Sequence, residues 1–414
     1  MKSTFMQTMP VYYYLNPILQ HNVITKYNLK NADNKNYLIY NYDKNYLCYN
    51  DHNNGLYRSV IYSYPESTIL SYSPPKTIDV TNFMQKYPSI GNDNILVNEM
   101  IAGIMIQLFY DVRLNQWQIA TKGAVGCKYY HREKGETFSS TKKTFYRMFL
   151  DALTAMPDQE LKDVALLDLF PKNAAYTFIL QHPENNIIIP NVIAKLYLVA
   201  VYKLMPTMNC VEFVSPTVYE NWQEFQNIQG IVEFPKQYNN FVEAYANLID
   251  YGKYEELCYV AGIETSRIRG FVFTNIHTGE RAVLECSKYK RLMEMKSIMP
   301  NIQYQYLCLR RMGKIDDYLA HFPMYKHQFY KIQADYNSFI RNVHCAYMNY
   351  YVHRNTTHVD AAYYTHIFKI HQQIYIPSLA KNCVKRVINN KIVTQYFDKM
   401  EPRELLYLLN CDKR

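Results

Sequence analysis

The sequence predicts an α+β fold followed by an all-α region, and three observations carry that expectation. From Tyr37 to about Pro300, short runs rich in β-branched and aromatic residues alternate with turn residues. Thr144–Leu153 interrupts that rhythm with Phe145, Met148, Phe149 and Ala152 on one helical face. From about Asn301 the apolar period lengthens to that of a helix, through Phe329, Ile332, Phe339, Ile340, Val343 and Tyr347. The expected division is therefore 1–298 and 299–414.

In chain order, the strand-like runs are Tyr57–Tyr62, Thr68–Tyr72, Ile104–Tyr110, Trp117–Ala120, Tyr176–Leu180, Leu196–Tyr202 and Gly270–Phe273, each of strand length and several alternating. Pro402–Leu409 reads as a short final helix with proline in its first turn. The Asn/Tyr/Lys-rich tract Asn31–Asn54 reads as loop around strands, and no internal repeat is present.

With 414 residues and 49% hydrophobic content, the chain can build two ordinary cores. No window reaches eighteen uninterrupted apolar residues and Met1–Phe5 lacks a signal core, so a soluble, intracellular chain is expected. Its 9 cysteines are odd in number, scattered and never spaced Cys-x-x-Cys, which reads as reduced thiols. A net charge of +9 suits a polyanionic partner. The 42 tyrosines could stack bases, but together with abundant Asn, Lys and Ile they also fit an AT-rich coding bias.

Generic catalytic patterns are absent: no Walker-type phosphate loop, no Gly-x-Ser-x-Gly elbow, no His-Glu-x-x-His. His344, His353, His358, His366 and His371 form no i,i+4 pair with a completing ligand set, so no metal site is expected there. One stretch stands apart. Trp117–Gly126 sets Lys122 between a strand-like run and the glycines 123 and 126, making it a candidate nucleophile or simply a turn cation.

Lys122 sits within an ordered series. Before it come Tyr57-Arg58-Ser-Val-Ile-Tyr, Ser71-Tyr-Ser-Pro-Pro-Lys76 and Asn98–Ile106; after it come Tyr176–Pro190, with Phe178 and Pro183-x-Asn185, then Arg269-Gly270-Phe-Val-Phe and Arg281–Tyr289, with Lys288. Pro300–Arg310 and Tyr318–Pro323 open the tail. This series resembles the phage-type ATP-dependent RNA ligases, particularly their relatives in large cytoplasmic DNA viruses, over most of the chain.

That resemblance implies an antiparallel-sheet nucleotidyltransferase domain, ATP-grasp-like, followed by an all-α domain acting as an RNA-specificity module. It implies Lys122 as the adenylylated residue, and Arg58, Lys76, Gly126, Phe178, Asn185, Gly270 and Lys288 as nucleotide contacts. It further implies ATP and Mg²⁺ as cofactors if the chain is active, RNA and other viral proteins as partners, and a place in the host cytoplasm or virion. In such ligases a lysine attacks the α-phosphate of ATP, AMP passes to an RNA 5′-phosphate, and a 3′-hydroxyl displaces it. The amine must be neutral to attack, well below its usual pKa of about 10.4, and carboxylates must hold the metal.

Several positions depart from that requirement. Ala124 stands where an acid is expected two residues after Lys122; Ile179 occupies a glutamate position, with Gln181 nearby. Arg269 replaces the glutamate before Gly270, while Val283 and Glu285 stand where cations should meet phosphate. Losing one transition-state donor costs ~10²–10³ in rate, so several losses would abolish turnover. The leading expectation is a ligase-like protein with lost or impaired adenylylation, acting by RNA or protein binding in viral transcription or virion assembly. Two alternatives stay open: an active ligase joining 5′-phosphate and 3′-hydroxyl ends in RNA repair, and a structural scaffold. Glu99, Glu133, Glu136 and Glu184 are candidates for the missing acidic roles. In the tail, Tyr347, Tyr350 and Tyr351 with Lys385, Arg386 and Lys391 could form an RNA surface, although aromatic stripes at helical spacing are more often core.

Overall fold

A computed structural model describes residues 10–15, 24–30, 36–43, 47, 55–88, 94–130, 142–154, 160–185, 188, 191–226, 231–238, 269–296, 301–355, 358–379 and 386–411, with backbone alone at 24–30, 36, 287 and 288. The chain divides into two compact units, 1–131 with 138–290, and 132–137 with 291–414.

The strands of the first unit are β1 (Val11–Tyr14), β2 (Ile24–Lys30), β3 (Asn36–Tyr42), β4 (Val60–Tyr64), β5 (Ile69–Tyr72), β6 (Ile95–Glu99), β7 (Ile104–Asp111), β8 (Gln116–Ala120), β9 (Ala174–Gln181), β10 (Lys195–Met205), β11 (Cys210–Val214), β12 (Val232–Glu233), β13 (Gly270–Asn275) and β14 (Arg281–Glu285). They form three sheets. A seven-stranded sheet runs β1-β11-β10-β9-β7-β8 with β12 parallel to β10, a four-stranded sheet runs β2-β3-β4-β5, and a three-stranded sheet runs β14-β13-β6. All pairings except β10 with β12 are antiparallel.

Side-chain alternation explains the layers. On β9, Tyr176, Phe178 and Leu180 enter a core with Phe149 and Leu153 of the helix Phe145–Leu153. That helix begins where Thr144 caps it, accepting from the Arg147 N–H at 3.3 Å. On the opposite face of the large sheet, Phe109 and Ala120 pack with Tyr37, Ile39, Ile61 and Leu70 of the four-stranded sheet. Tyr62, Tyr72, Tyr202 and Phe213 close a further core between these two sheets. Each expected run contributes a strand, although the Tyr57 run pairs only from Val60 and β3 crosses the tract read as loop.

The second unit is helical. Its helices are Ile302–Arg311, Ile315–His321, Lys326–Tyr347, Ala361–Ile370, Asn390–Phe397 and Pro402–Leu408. The stripe Phe329, Ile332, Phe339, Ile340, Val343 and Tyr347 is buried, as its period requires. Tyr318 stacks on Phe329 at 5.2 Å between ring centroids. Beside them Arg310 bridges to Asp398 at 2.8 Å, and Tyr336 donates to the same carboxylate at 2.8 Å. Two helices end unusually: Lys326–Tyr347 continues into a π-helical turn at Met348–Val352, and Ala361–Ile370 into another at His371–Tyr375. Among the described residues, no helix is long and apolar enough to cross a membrane.

Candidate functional site

Lys122 stands at the tip of a tight hairpin leaving β8. Ala120 bridges to Val125, the Thr121 N–H donates to the Ala124 carbonyl at 2.9 Å, and the Gly126 N–H donates to the Ile119 carbonyl at 2.7 Å. Gly126 has φ +89°, a conformation that glycine adopts without steric cost. A buried relay holds the tip: the Ser71 hydroxyl donates to Gln107 Oε1 at 2.8 Å, Gln107 Nε2 donates to Ser59 Oγ at 2.8 Å, and the Ser59 hydroxyl donates to the Lys122 carbonyl at 2.9 Å. The Lys122 ammonium lies 4.9 Å from the centre of the Tyr42 ring.

A cavity of about 140 Å³ opens between the large sheet and the three-stranded sheet. Met105, Thr177, Ile179 and Val199 line it from one side, and Glu99, Val272 and Val283 from the other. Arg58, Arg269 and Arg281 all reach it. Their charges are balanced very differently. Arg269 is bound by Glu285 through two contacts of 2.8 and 3.1 Å and lies over Tyr289. Arg281 donates through Nη2 to the Pro75 carbonyl at 3.4 Å, while its buried Nε has no hydrogen-bond partner. Arg58 makes neither a hydrogen bond nor an ion pair among the described residues. Burial lowers its pKa below the usual arginine range, and repulsion from Arg281 and Arg269 acts in the same direction. Tyr42 feels this pair: burial raises its phenol, while Arg58 and Arg281 draw it down.

Two carboxylates share the lining. Burial pushes Glu220 up to about 7 against a lowering bond from Gln237, and its buried Oε1 accepts nothing. Burial also raises Glu99, with Lys236 opposing. Among the described residues, no three His, Cys, Asp or Glu side chains gather as a metal site, so the cavity lacks a full ligand set there.

Of the positions expected at a site, Arg58, Ile179, Arg269, Val283 and Glu99 converge on this cavity. Lys122, Gly126, Lys76, Phe178 and Asn185 do not line it. Phe178 is a correction with a simple cause: alternation along β9 sends Thr177 and Ile179 to the cavity and Phe178 into the core against Phe149. The Lys76 backbone N–H donates to the Gly55 carbonyl at 2.9 Å, and Asn185 closes a short 3₁₀ turn through its N–H to the His182 carbonyl at 2.9 Å. Gly270 serves through backbone proximity, since a Cβ there would meet the Leu284 carbonyl oxygen at 2.1 Å. The Lys288 side chain, Glu133, Glu136 and Lys385 lie outside the described residues. Glu184 lies away from the cavity, accepting from the Lys143 N–H at 3.2 Å. Arg269 and Glu285, read singly in the sequence as two departures from the ligase pattern, are joined in one salt bridge.

Sequence reasoning missed Glu220, Arg281 and Tyr42 as site residues. Arg281 opens a strand expected to be basic, which was a usable signal; Glu220 follows the four-residue helix Pro216–Tyr219 and had none. Of the late histidines, His366 is buried with Nδ1 3.2 Å from the Tyr396 hydroxyl, and His344 Nε2 lies 3.1 Å from the Ile388 carbonyl.

No family model matches the chain and no curated protein matches it. Among solved structures, it is similar to a protein assigned as an ATP-dependent DNA ligase from Aquifex aeolicus, at 13% identity over 79% of this chain and 77% of that one, with a TM-score of 0.39. It is also similar to an archaeal ATP-dependent RNA ligase in two forms. The first is 10% identical over 92% and 84% of the two chains with a TM-score of 0.36, and the second 11% identical over 93% and 84% with a TM-score of 0.38. At such identities and TM-scores these structures establish neither family nor activity for this chain. The class stands on its own sheets and helices: an α+β unit of antiparallel sheets with a helical unit after it.

Proposed function

We propose that the first unit is an RNA-ligase-like nucleotidyltransferase domain that holds the phosphates of a nucleotide or RNA end between Arg58 and Arg281 without adenylylating Lys122. One observation carries this reading. Two guanidiniums face a cavity with no carboxylate bound to either among the described residues, while the Lys122 ammonium rests on Tyr42 outside the lining. Partly buried cations lacking a counter-charge cost several kcal/mol each unless an anion balances them, and the guanidinium fork matches phosphate. Ala124 and Ile179 add no carboxylate, and Glu285 neutralises Arg269, so Arg58 and Arg281 are the cavity arginines left to meet an anion among the described residues. The protein then acts by binding RNA, with other viral proteins as further partners, in the cytoplasm or virion of a large DNA virus.

The test is incubation with α-labelled ATP and Mg²⁺ or Mn²⁺, read on a denaturing gel. No label is expected on the chain, whereas filter retention of ATP should fall by at least about tenfold in Arg58→Ala, since charge-assisted bonds are worth about 1.5–3 kcal/mol. Label that disappears in Lys122→Ala would overturn the reading. Glu99 and Glu220 favour a second reading, in which displaced carboxylates restore activity; label lost in Glu220→Gln as well as Lys122→Ala would establish it.

A further inference from the structure

One helical run of the second unit presents an apolar line to solvent. The helix Ala361–Ile370 passes through the π-turn His371–Tyr375 into a 3₁₀ turn, Ile376–Leu379. His366, Ile367 and Ile370 are buried on one side of the helix, while Tyr364, Thr365, Phe368 and Lys369 are exposed on the other. Tyr364 and Phe368 are four residues apart and share a face. In an unbroken α-helix the eight residues from Phe368 to Ile376 would overshoot that face by about 80°. The wider π-turn, closed i→i+5, turns Ile376 back toward it, and Leu379 then falls in register because i and i+3 eclipse in a 3₁₀ turn. Tyr364, Phe368, Ile376 and Leu379 are accordingly 45, 46, 43 and 50% exposed, too open to be core.

Charge identifies the occupant. Residues 291–414 hold 18 Lys and Arg against 9 Asp and Glu, and from Ala361 to Phe397 there are 5 cations and no acid. Two of these cations are tied to the line by the chain itself. Lys369 follows Phe368 on the exposed face and extends the row begun by Thr365. The Arg386 N–H donates to Ser378 Oγ at 3.1 Å, which sets its backbone beside the turn that carries Leu379. Both side chains are exposed, and neither forms an ion pair among the described residues. A second copy of this chain would bring like charge to like charge. RNA bases would find rings at Tyr364 and Phe368 but none at Ile376 and Leu379. A bilayer requires a broad apolar face, whereas Thr365, Lys369 and Gln373 stand exposed directly after this narrow line. A single apolar file beside cations matches the seam of a helix pair, in which charges at the flanking positions choose the partner.

We propose that Tyr364, Phe368, Ile376 and Leu379 form a docking seam for an amphipathic helix of a protein partner, about four turns long, with Glu or Asp flanking its apolar stripe. This goes beyond the reading above, which concerns the cavity of the first unit, and stands or falls apart from it.

The experiment selects displayed peptides of about three heptads against the full chain, with Leu fixed at the a and d positions and Glu, Gln or Lys free elsewhere. Glu should be enriched at the flanking positions. Selected peptides should bind Phe368→Ser with Ile376→Ser at least about tenfold more weakly, with the melting temperature unmoved because both side chains are exposed. Lys369→Gln with Arg386→Gln should weaken them about twofold to fivefold at low salt and very little at high salt. Enrichment of Lys or Gln, absence of any selected peptide, or equal affinity in the Ser variant would each overturn the proposal. So would loss of oligouridylate or phosphatidylserine-vesicle binding in that variant with peptide affinity unchanged, which would assign the line to RNA or to a membrane. ATP retention reads Arg58 and should be the same in all these variants, so failure here leaves the cavity's own test untouched.

Discussion

The charges facing the cavity make its residues sensitive to pH, and Glu220 sets the direction. Its folded pKa of about 7 lies above the unfolded 4.5, so folding favours the protonated form. The associated stability is complete below the unfolded value and is lost as pH rises through about 7. Ionised Glu220 also repels an anion beside Arg58. Phosphate or ATP affinity should therefore rise as pH falls from 8 to 6, and Glu220→Gln should flatten that profile and raise the melting temperature at pH 8 but not at pH 5. Equal pH dependence in wild type and variant, followed by calorimetry, would remove Glu220 from the account. The buried relay gives a second expectation at this scale. Gln107→Leu strips two partners from buried hydroxyls and should cost about 1–3 kcal/mol in denaturant unfolding. How far such residues were legible depended on register. Arg58, Ile179 and Val283 could be placed from the order of motifs, but Phe178 was misassigned because only strand parity decides between neighbours one residue apart.

At the scale of elements, legibility followed the hydrophobic period until something interrupted it. β9 alternates cleanly and was readable. β10 was readable as a strand but the facing of its residues was not, because a bulge between Leu198 and Ala200 reverses its parity. Before the bulge Leu196 and Leu198 face the helix-covered core; after it Val201 faces that core, and Ala200 and Tyr202 turn to the other. The π-helical turns were equally hidden, since Met348–Val352 and His371–Tyr375 hold no proline or glycine to announce them. Where one residue type decides an element, substitutions have clear signs. Gly270→Ala would drive a methyl into the Leu284 carbonyl and the Glu285 backbone, neither of which can yield without parting β13 from β14; a loss of about 3 kcal/mol or more is expected. Thr144→Ala removes only a cap and should cost about 1 kcal/mol. Reversal of that order in urea midpoints would mean that the three-stranded sheet tolerates a shift there.

For the whole molecule, the decisive property is that charge and fold are divided at the same place in the chain. The first portion is electrically balanced, while residues 291–414 carry twice as many cations as acids. Composition alone showed a modest basic excess; only the division into two units shows that the excess belongs to one of them. This has opposite consequences with and without a polyanion. Alone, the helical unit is destabilised by repulsion among its cations, and screening by salt relieves it. With single-stranded RNA bound, stability gains about 2.7 kcal/mol at a ligand concentration of 100 Kd, a gain that depends on phosphate contacts and fades as salt weakens them. Thermal melts between 50 and 400 mM salt should therefore converge: the free protein's melting temperature rises with salt while that of the RNA-saturated protein falls toward it. Surface pairs such as Arg311 with Glu401 at 2.7 Å oppose the first trend, but exposed pairs contribute only about 0–1 kcal/mol and cannot reverse a twofold excess of cations. Parallel curves would show that the charge of the helical unit neither strains the fold nor meets the RNA.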